Sequence, residues 1–262
     1  MVKVVLDIRE SVDTNARRYF EAAKKARHKA KGAAETVERW KAKSAEELAA
    51  VEAKAAAPKT PVVKRKKEWF EKFRWCFASD GTLLIGGRDA TSNEVVVKKH
   101  TEPVDVVFHT DMAGSPFVIV KTEGKEVSAA TLEEAAQFCA AYSRAWRNGL
   151  SMLEVFHVKP EQVSKEANTG EFLPKGAFMI RGKTLYHNAL IAITLGLDAE
   201  GRIMAGPSSA VKKRCERSVD LLPGNEKASD VAKLVQKMLG GGELDEIIAA
   251  LPAGGCKIAK RK

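Results

Sequence analysis

From Val12 onward, Val12, Ala16, Tyr19, Ala23, Ala26, Ala30, Ala33, Val37 and Trp40 follow one another by alternating steps of four and three. That spacing holds one apolar seam along a helix for about four heptads. A strand or a short globular helix cannot keep such a pattern, so the N-terminal part of the chain is committed to a rod. The seam is mostly alanine, so a partner helix can approach closely but each turn buries little apolar area. Alanine and the long charged residues between the seam positions favour helix on propensity alone. The pattern predicts one helix from residue 9 to about 55, with Ser11 as its candidate cap and Pro58 and Pro61 beyond its end.

The rod also carries the charge. The 262 residues have a formal net charge of +10. Between Arg17 and Lys67, sixteen lysines and arginines stand against six acids, an excess equal to the whole +10. The rest of the chain sums to zero. A positive field gathered in one segment favours a polyanionic partner. The segment lacks the large apolar face of a membrane-surface helix, and the longest apolar run, "ALIAITLGL" from Ala189, is too short to span a bilayer. Nucleic acid is therefore the expected partner, with no membrane. The opening residues MVKVVLDIRE hold no signal-peptide core, which predicts a cytoplasmic protein. Cys76, Cys139, Cys215 and Cys256 lie far apart without a C-x-x-C pair, so no zinc site, disulfide framework or other cofactor is expected.

After "VVKRKK" the pattern changes to short strands and helices. "RWCFASDGTLLIGG" reads as two strands around Asp80-Gly81. Asp89 caps a helix from Ala90 to about His100, and "DVVFHTDMAGSPFVIVK" supplies two further strands. Thr131 with Glu134 reads as a capping box for a helix running to Asn148, where Gly149 stops it. Strands follow at "SMLEVFHV", "AFMIRG", "TLYHN", "LIAITLGL", "RIMAGP" and "SVDLLPG". Helices are expected from about Ser229 to Leu239 and in "ELDEIIAAL". The expected class is α+β: a mixed, largely antiparallel sheet domain with packed helices over 61–262, after a long basic coiled-coil-like helix over 1–60.

Three groups of residues are candidates for function. In "GGRDATSNEVVVKKH", Gly86 and Gly87 allow close backbone approach, and Arg88-Asp89 open a helix whose free N–H groups suit an anion. Arg88, Asn93, Lys98 and Lys99 are the expected RNA contacts there. No Walker loop or dinucleotide fingerprint is present. In the second group, His109 and Asp111 fall on one side of a strand, followed by Gly114, Ser115 and Pro116. They suit an acid/base pair, a structural hydrogen-bonded pair or, for His109, RNA contact. The third group, "VSKEANTGEFLPKGAFMIRGK", sets Ser164, Lys165, Thr169, Glu171, Arg181 and Lys183 around a Gly-rich turn, with His157 and Lys159 beside it. Lys165, Arg181 and Lys183 are counted as RNA contacts. Lys64, Arg65, Lys66 and Lys67 add phosphate contacts without sequence preference. The chain offers no unambiguous nucleophile and no carboxylate cluster for a metal, so RNA contact leads and catalysis is the alternative.

"WFEKFRWCFASDGTLLIGGRDATSNEVVVKKH", "HTDMAGSPFVIVK", "TLEEAAQFCAAYSRAW" and "QVSKEANTGEFLPKGAFMIRGK" follow in order from about Lys67 to Lys183. Together they resemble the successive motifs of the NFACT-R domain of ribosome quality-control factors typified by RqcH and NEMF. "LDIRESVDTNARRYFEAAKKARHKAKGA" resembles the opening of the coiled-coil middle segment of the same proteins. The resemblance implies an RNA-binding, ribosome-associated module in ribosome-associated quality control or translation. Its implied partners are ribosomal RNA or tRNA and the large ribosomal subunit. The NFACT-N domain and the helix-hairpin-helix segment, with which the family grips tRNA, have no counterpart here, and the coiled coil lacks most of its returning arm. The expectation is a stand-alone NFACT-R protein or a fragment, without the family's C-terminal tailing carried over whole. Two alternatives stay open. One is an RNA-processing or RNA-modifying enzyme subunit with His109 and Lys165 as suspects. The other is a surface adhesin, since some bacterial relatives are called fibronectin-binding proteins, although the lack of a signal peptide counts against it. The long helix is expected to pair with a second helix, from another copy or a ribosomal neighbour.

Overall fold

The structure, a computed structural model, describes residues 4–56, 66–166 and 172–259, with the side chains of 45–56 outside that description. Contacts divide the chain into two compact units, 1–66 and 67–262. The first unit is built on α1 (Val12–Ala56). The Ser11 hydroxyl accepts from the Thr14 N–H at 3.1 Å and caps it. Residues before the cap fold back along the first turns. The Tyr19 hydroxyl donates to the Val5 carbonyl at 2.6 Å, and the Asn15 side chain accepts from the Asp7 N–H at 2.9 Å. Further along the seam, Val37 and Trp40 are exposed.

The second unit runs through β1 (Arg74–Phe77), β2 (Leu83–Gly86), α2 (Ala90–Lys99), β3 (Val106–His109), β4 (Val118–Lys121), α3 (Ala129–Ala141) and α4 (Arg144–Arg147). It continues with β5 (Met152–Val158), β6 (Val163–Ser164), β7 (Met179–Ile180), β8 (Leu185–Leu190), β9 (Ile193–Leu197) and β10 (Ile203–Gly206). It closes with α5 (Ser208–Arg214), β11 (Arg217–Glu226), α6 (Ala228–Leu239), α7 (Leu244–Ala250) and β12 (Cys256–Ile258). The main sheet has the order β1-β2-β4-β3-β5-β8, and a second has β10-β9-β11-β12, every pair antiparallel. The fold is α+β.

Both faces of the main sheet are covered. Leu84, Phe108, Val118, Val120 and Val155 share a core with Phe138 of α3 and Trp146 of α4. Their strand neighbours Ile85, Val107, Ile119 and Phe156 share a second core with Val96 of α2 and with Phe70, Phe73 and Trp75. A strand buried on both faces loses the polar alternation of a half-wet one. That is why "LLIG", "VVFH" and "FVIV" read as unbroken apolar runs.

One helix departs from its reading. The cap of α3 is Ser128, whose hydroxyl accepts from the Thr131 N–H at 3.1 Å, and the helix ends at Ala141. The chain then turns, and Ser143 caps the one-turn α4 by accepting from the Ala145 N–H at 3.1 Å. Glu134 makes no capping box. It is buried, accepting from the Ser79 N–H at 2.8 Å and the Ser209 hydroxyl at 2.5 Å, and so ties the β1–β2 turn and α5 to α3. The strand β12 and the helix α5 have no counterpart in the sequence reading.

Candidate nucleic-acid interface

In an antiparallel sheet the start of one strand lies beside the end of the next. Arg74 at the start of β1 pairs with Gly86 at the end of β2, and Gly86 pairs with Val118 at the start of β4. Phe108, just before the end of β3, also pairs with Val118. A cavity of about 420 Å³ opens over this end of the sheet. It is lined by the loop entering α2 (Gly87, Arg88, Asp89), by His109 and Ala113 to Phe117, and by Pro174 to Phe178, with Arg74 and Tyr142. The opening stretch of the first candidate group and parts of the other two thus meet at one place.

Close backbone packing holds the walls together. A Cβ on Gly176, which has φ +80°, would lie 2.5 Å from the Ala90 Cα, so only glycine lets this loop sit on the first turn of α2. A Cβ on Gly87 would run into the Asn93 side chain. Asn93 accordingly points inward, and its Oδ1 accepts from the Phe117 N–H at 3.2 Å. Lys165 is the other tie. Its Nζ donates to the Pro174 carbonyl at 2.9 Å and the Ala177 carbonyl at 2.8 Å, and pairs with Glu94 at 2.8 Å. All three ammonium donors are used, so Lys165 positions the 174–178 loop.

The anion site expected at the start of α2 is largely closed by its own cap. Asp89 accepts from the Ser92 N–H at 2.8 Å, and the Ser92 hydroxyl accepts from the Arg88 and Asp89 N–H groups, both at 2.8 Å. The Ser92 N–H holds the Asp89 carboxyl below the usual carboxylate range, with a further contribution from Lys175. His109 and Asp111 do not form the expected same-side pair. The strand ends at His109, and Asp111 is exposed in the following loop. The His109 Nδ1 is 2.9 Å from the Pro116 carbonyl, and its ring lies flat on Phe117 at 4.0 Å. A carbonyl can only accept, so Nδ1 carries the hydrogen and Nε2 is left as an acceptor. Burial holds the imidazole below its ordinary value, hence neutral.

Of the cations at the cavity, the sequence singled out only Arg88. Arg74 lies with its guanidinium 3.9 Å from the Tyr142 ring centre and donates to the Leu251 carbonyl at 3.3 Å. Burial works against its charge, and the nearby Arg88 adds to that. Arg88 itself is exposed and donates to the Phe73 and Glu71 carbonyls at 3.0 and 3.3 Å. Lys175 is exposed on the rim, and Arg144 lies against Gly114, where an added Cβ would meet its Nε at 3.3 Å. Asp89 is the one carboxylate among the lining residues. A cation set in the aromatic run "FRWCF" was the available signal for Arg74. Tyr142 was not among the candidate residues, and nothing local marked Arg144 or Lys175.

Other sequence candidates lie outside the cavity. Lys98 is 3.8 Å from Glu94 and Lys99 is exposed. Arg181 donates to the Glu166 carbonyl at 3.2 Å, and Lys183 is exposed. Lys66 is exposed, and Lys67 pairs with Glu246 at 2.8 Å. Lys64, Arg65, Thr169 and Glu171 lie outside the described residues. Past the C-terminal end of α2, the sequence reading missed an aromatic platform. Trp69, 44% exposed, stacks on His100 at 4.8 Å and 15°. Burial, then the charges of Lys72, Lys121 and Lys99, hold that imidazole below its ordinary value.

Residues 72–182 match the model of the family described as "NFACT protein RNA binding domain", a span that contains the whole cavity. The chain contains an NFACT-R domain. Among curated relatives of this chain, the Archaeal Rqc2 homolog aRqcH of Methanocaldococcus jannaschii is 39% identical over 205 residues, covering 76% of this chain and 30% of the relative. The human Ribosome quality control complex subunit NEMF is 38% identical over 171 residues, covering 64% of this chain and 16% of the relative. Ribosome quality control complex subunit 2 of Schizosaccharomyces pombe is 32% identical over 191 residues, covering 71% and 18%. The chain thus spans less than a third of the length of these relatives. The solved C-terminal part of the fibronectin/fibrinogen-binding protein from Streptococcus suis superposes with a TM-score of 0.38 at 20% identity, over 68% of this chain and 76% of that one. That likeness is too distant to argue from.

Proposed function

We propose that this chain is an RNA-binding, ribosome-associated module acting in ribosome-associated quality control or translation. The observation that carries the reading is the cavity over the sheet end, where Arg74, Arg88 and Lys175 face one carboxylate inside a domain whose family is named for RNA binding. The names of the relatives support the ribosomal setting. In this reading ribosomal RNA or tRNA is the target, the large subunit is the platform, and the protein works in the cytoplasm. Among the described residues no helix is long and apolar enough to cross a membrane. The long helix supplies phosphate contacts that any RNA satisfies, and the domain fixes orientation.

Co-sedimentation with large ribosomal subunits, against binding to bulk RNA, tests the reading. Arg88→Ala is expected to weaken ribosome binding about tenfold and bulk-RNA binding less. If the unaltered protein binds neither subunits, tRNA nor bulk RNA, the reading is wrong.

A further inference from the structure

The cavity is built for more than a point charge. An anion held by cations alone needs no aromatic walls, and a purely apolar ligand would leave the guanidinium of Arg74 unanswered. Here the two kinds of surface converge. Tyr142, His109, Phe117 and Phe178 line the cavity together with Arg74, Arg88 and Lys175. Arg74 has Tyr142 and the Leu251 carbonyl as hydrogen-bonding partners, and no carboxylate among the described residues forms an ion pair with it. A guanidinium held 3.9 Å over a ring centre is the kind of surface on which an unstacked base settles. His109, whose Nε2 is left as an acceptor, also lines the cavity, and an acceptor is what an exocyclic amine needs.

Size narrows the ligand. About 420 Å³ falls at the lower end of the roughly 300–1,000 Å³ typical of small-molecule pockets. A duplex cannot enter such a recess, whereas one splayed residue of a single strand can. The rim cations Arg88 and Lys175 sit where a backbone phosphate would pass as the base turns inward.

We propose that this cavity takes a single unpaired RNA nucleotide, its base against the Arg74–Tyr142 layer and its phosphate on Arg88 and Lys175. The proposal rests on the RNA-binding reading and says which structural class of RNA it selects: strands with an unpaired residue.

The test titrates the full chain with cytidine and adenosine 5′-monophosphates, the matching nucleosides and inorganic phosphate, followed by ligand-observed NMR. In parallel, a single-stranded oligonucleotide is compared with a blunt duplex of the same sequence. Saturable binding of the monophosphates, at least tenfold tighter than nucleoside or phosphate, is expected. Lys175→Ala, on the exposed rim, and Arg74→Lys, which keeps the charge but loses the plane, should each weaken that binding about tenfold. Both should weaken single-strand binding with duplex binding unchanged. Equal binding of inorganic phosphate would overturn the nucleotide assignment, as would Lys175→Ala without effect in a chain of unchanged melting temperature. Failure of every monophosphate to bind, while the chain still holds RNA in a salt-dependent way, sinks this inference and leaves the RNA-binding reading standing. Saturable monophosphate binding without affinity for longer RNA does the reverse.

Discussion

The long helix and the cavity over the sheet end are both basic, and they are basic in opposite ways. Helix α1 and the segment after it carry charge by number: sixteen cations between Arg17 and Lys67. Those of the described helix residues are exposed, and one of them, Lys41, is paired with a neighbouring acid, Glu38 at 3.0 Å. The cavity carries a handful by placement, with Arg74 held against Tyr142 and Arg88 clamped by two backbone carbonyls. Exposed charge on long flexible stems gives affinity that salt erodes and that ignores sequence. Charge fixed beside aromatic walls costs desolvation and returns selectivity. One chain keeps the two strategies in separate units.

The largest test of that contrast removes residues 1–66. The shortened chain is expected to fold, with an unchanged melting temperature, because both cores of the main sheet lie within 67–262. Its RNA affinity should collapse. If only six of the lost cations touch phosphates, the slope of log affinity against log salt falls by about 4 to 5. The same comparison by sedimentation checks the seam: the full chain should self-associate at high concentration and the shortened one should not. An unfolded shortened chain by circular dichroism, or an unchanged slope, breaks the division of labour.

A smaller change sharpens it. Replacing Lys64, Arg65, Lys66 and Lys67 by alanine should flatten the salt slope by about three if all four reach phosphate. The mononucleotide affinity of the cavity should not move. Salt titrations of RNA binding read the first, and the NMR titration reads the second. A flat response in both would make the basic segment a solubility device.

The smallest effect concerns acid. His100, His109, His157 and His187 all have their imidazoles held below the ordinary value, in each case mainly by burial. The folded state then binds fewer protons than the unfolded one just below about pH 6.5. Stability should be full above that value and decline as pH falls through it, levelling off once the folded-state imidazoles also charge. The unit 67–262 should show this alone, because all four of these imidazoles lie within it. Melting temperatures of the full and shortened chains between pH 7.5 and 5 (about the imidazole range) check it, and parallel curves are the expected result. A decline in the full chain alone would place the effect in the helix.

How much of this was legible depended on how local its cause was. The rod, its Ser11 cap, the Asp80-Gly81 hairpin and the Asp89 cap all follow from residues within a few positions of each other. The α3 boundary was misread because Thr131 and Glu134 have the right spacing for a capping box, yet Glu134 is claimed by Ser79 and Ser209 from distant parts of the chain. The site was half legible for the same reason. Gly87, Arg88 and His109 stand in recognisable motifs. Lys175 lines the cavity beside Gly176, whose contact with Ala90 sets that loop on α2, and Arg144 comes near it only by lying against Gly114. Lys165 and Asn93 were read as ligand contacts because polarity shows in a sequence, whereas an internal partner for it does not.

The four cysteines have a practical consequence. Cys76 in β1, Cys139 in α3, Cys215 after α5 and Cys256 in β12 are all free and buried. Burial raises each thiol, Cys215 and Cys256 to about 11. Thiol reagents act on the thiolate, so the native domain should be nearly silent to them. Three of them lie in different secondary-structure elements and the fourth just after α5, so a maleimide pulse followed by peptide mapping would time-stamp the opening of each region separately. The protein carries its own set of four unfolding clocks, and a fifth cysteine placed on the surface would take a fluorophore without disturbing them.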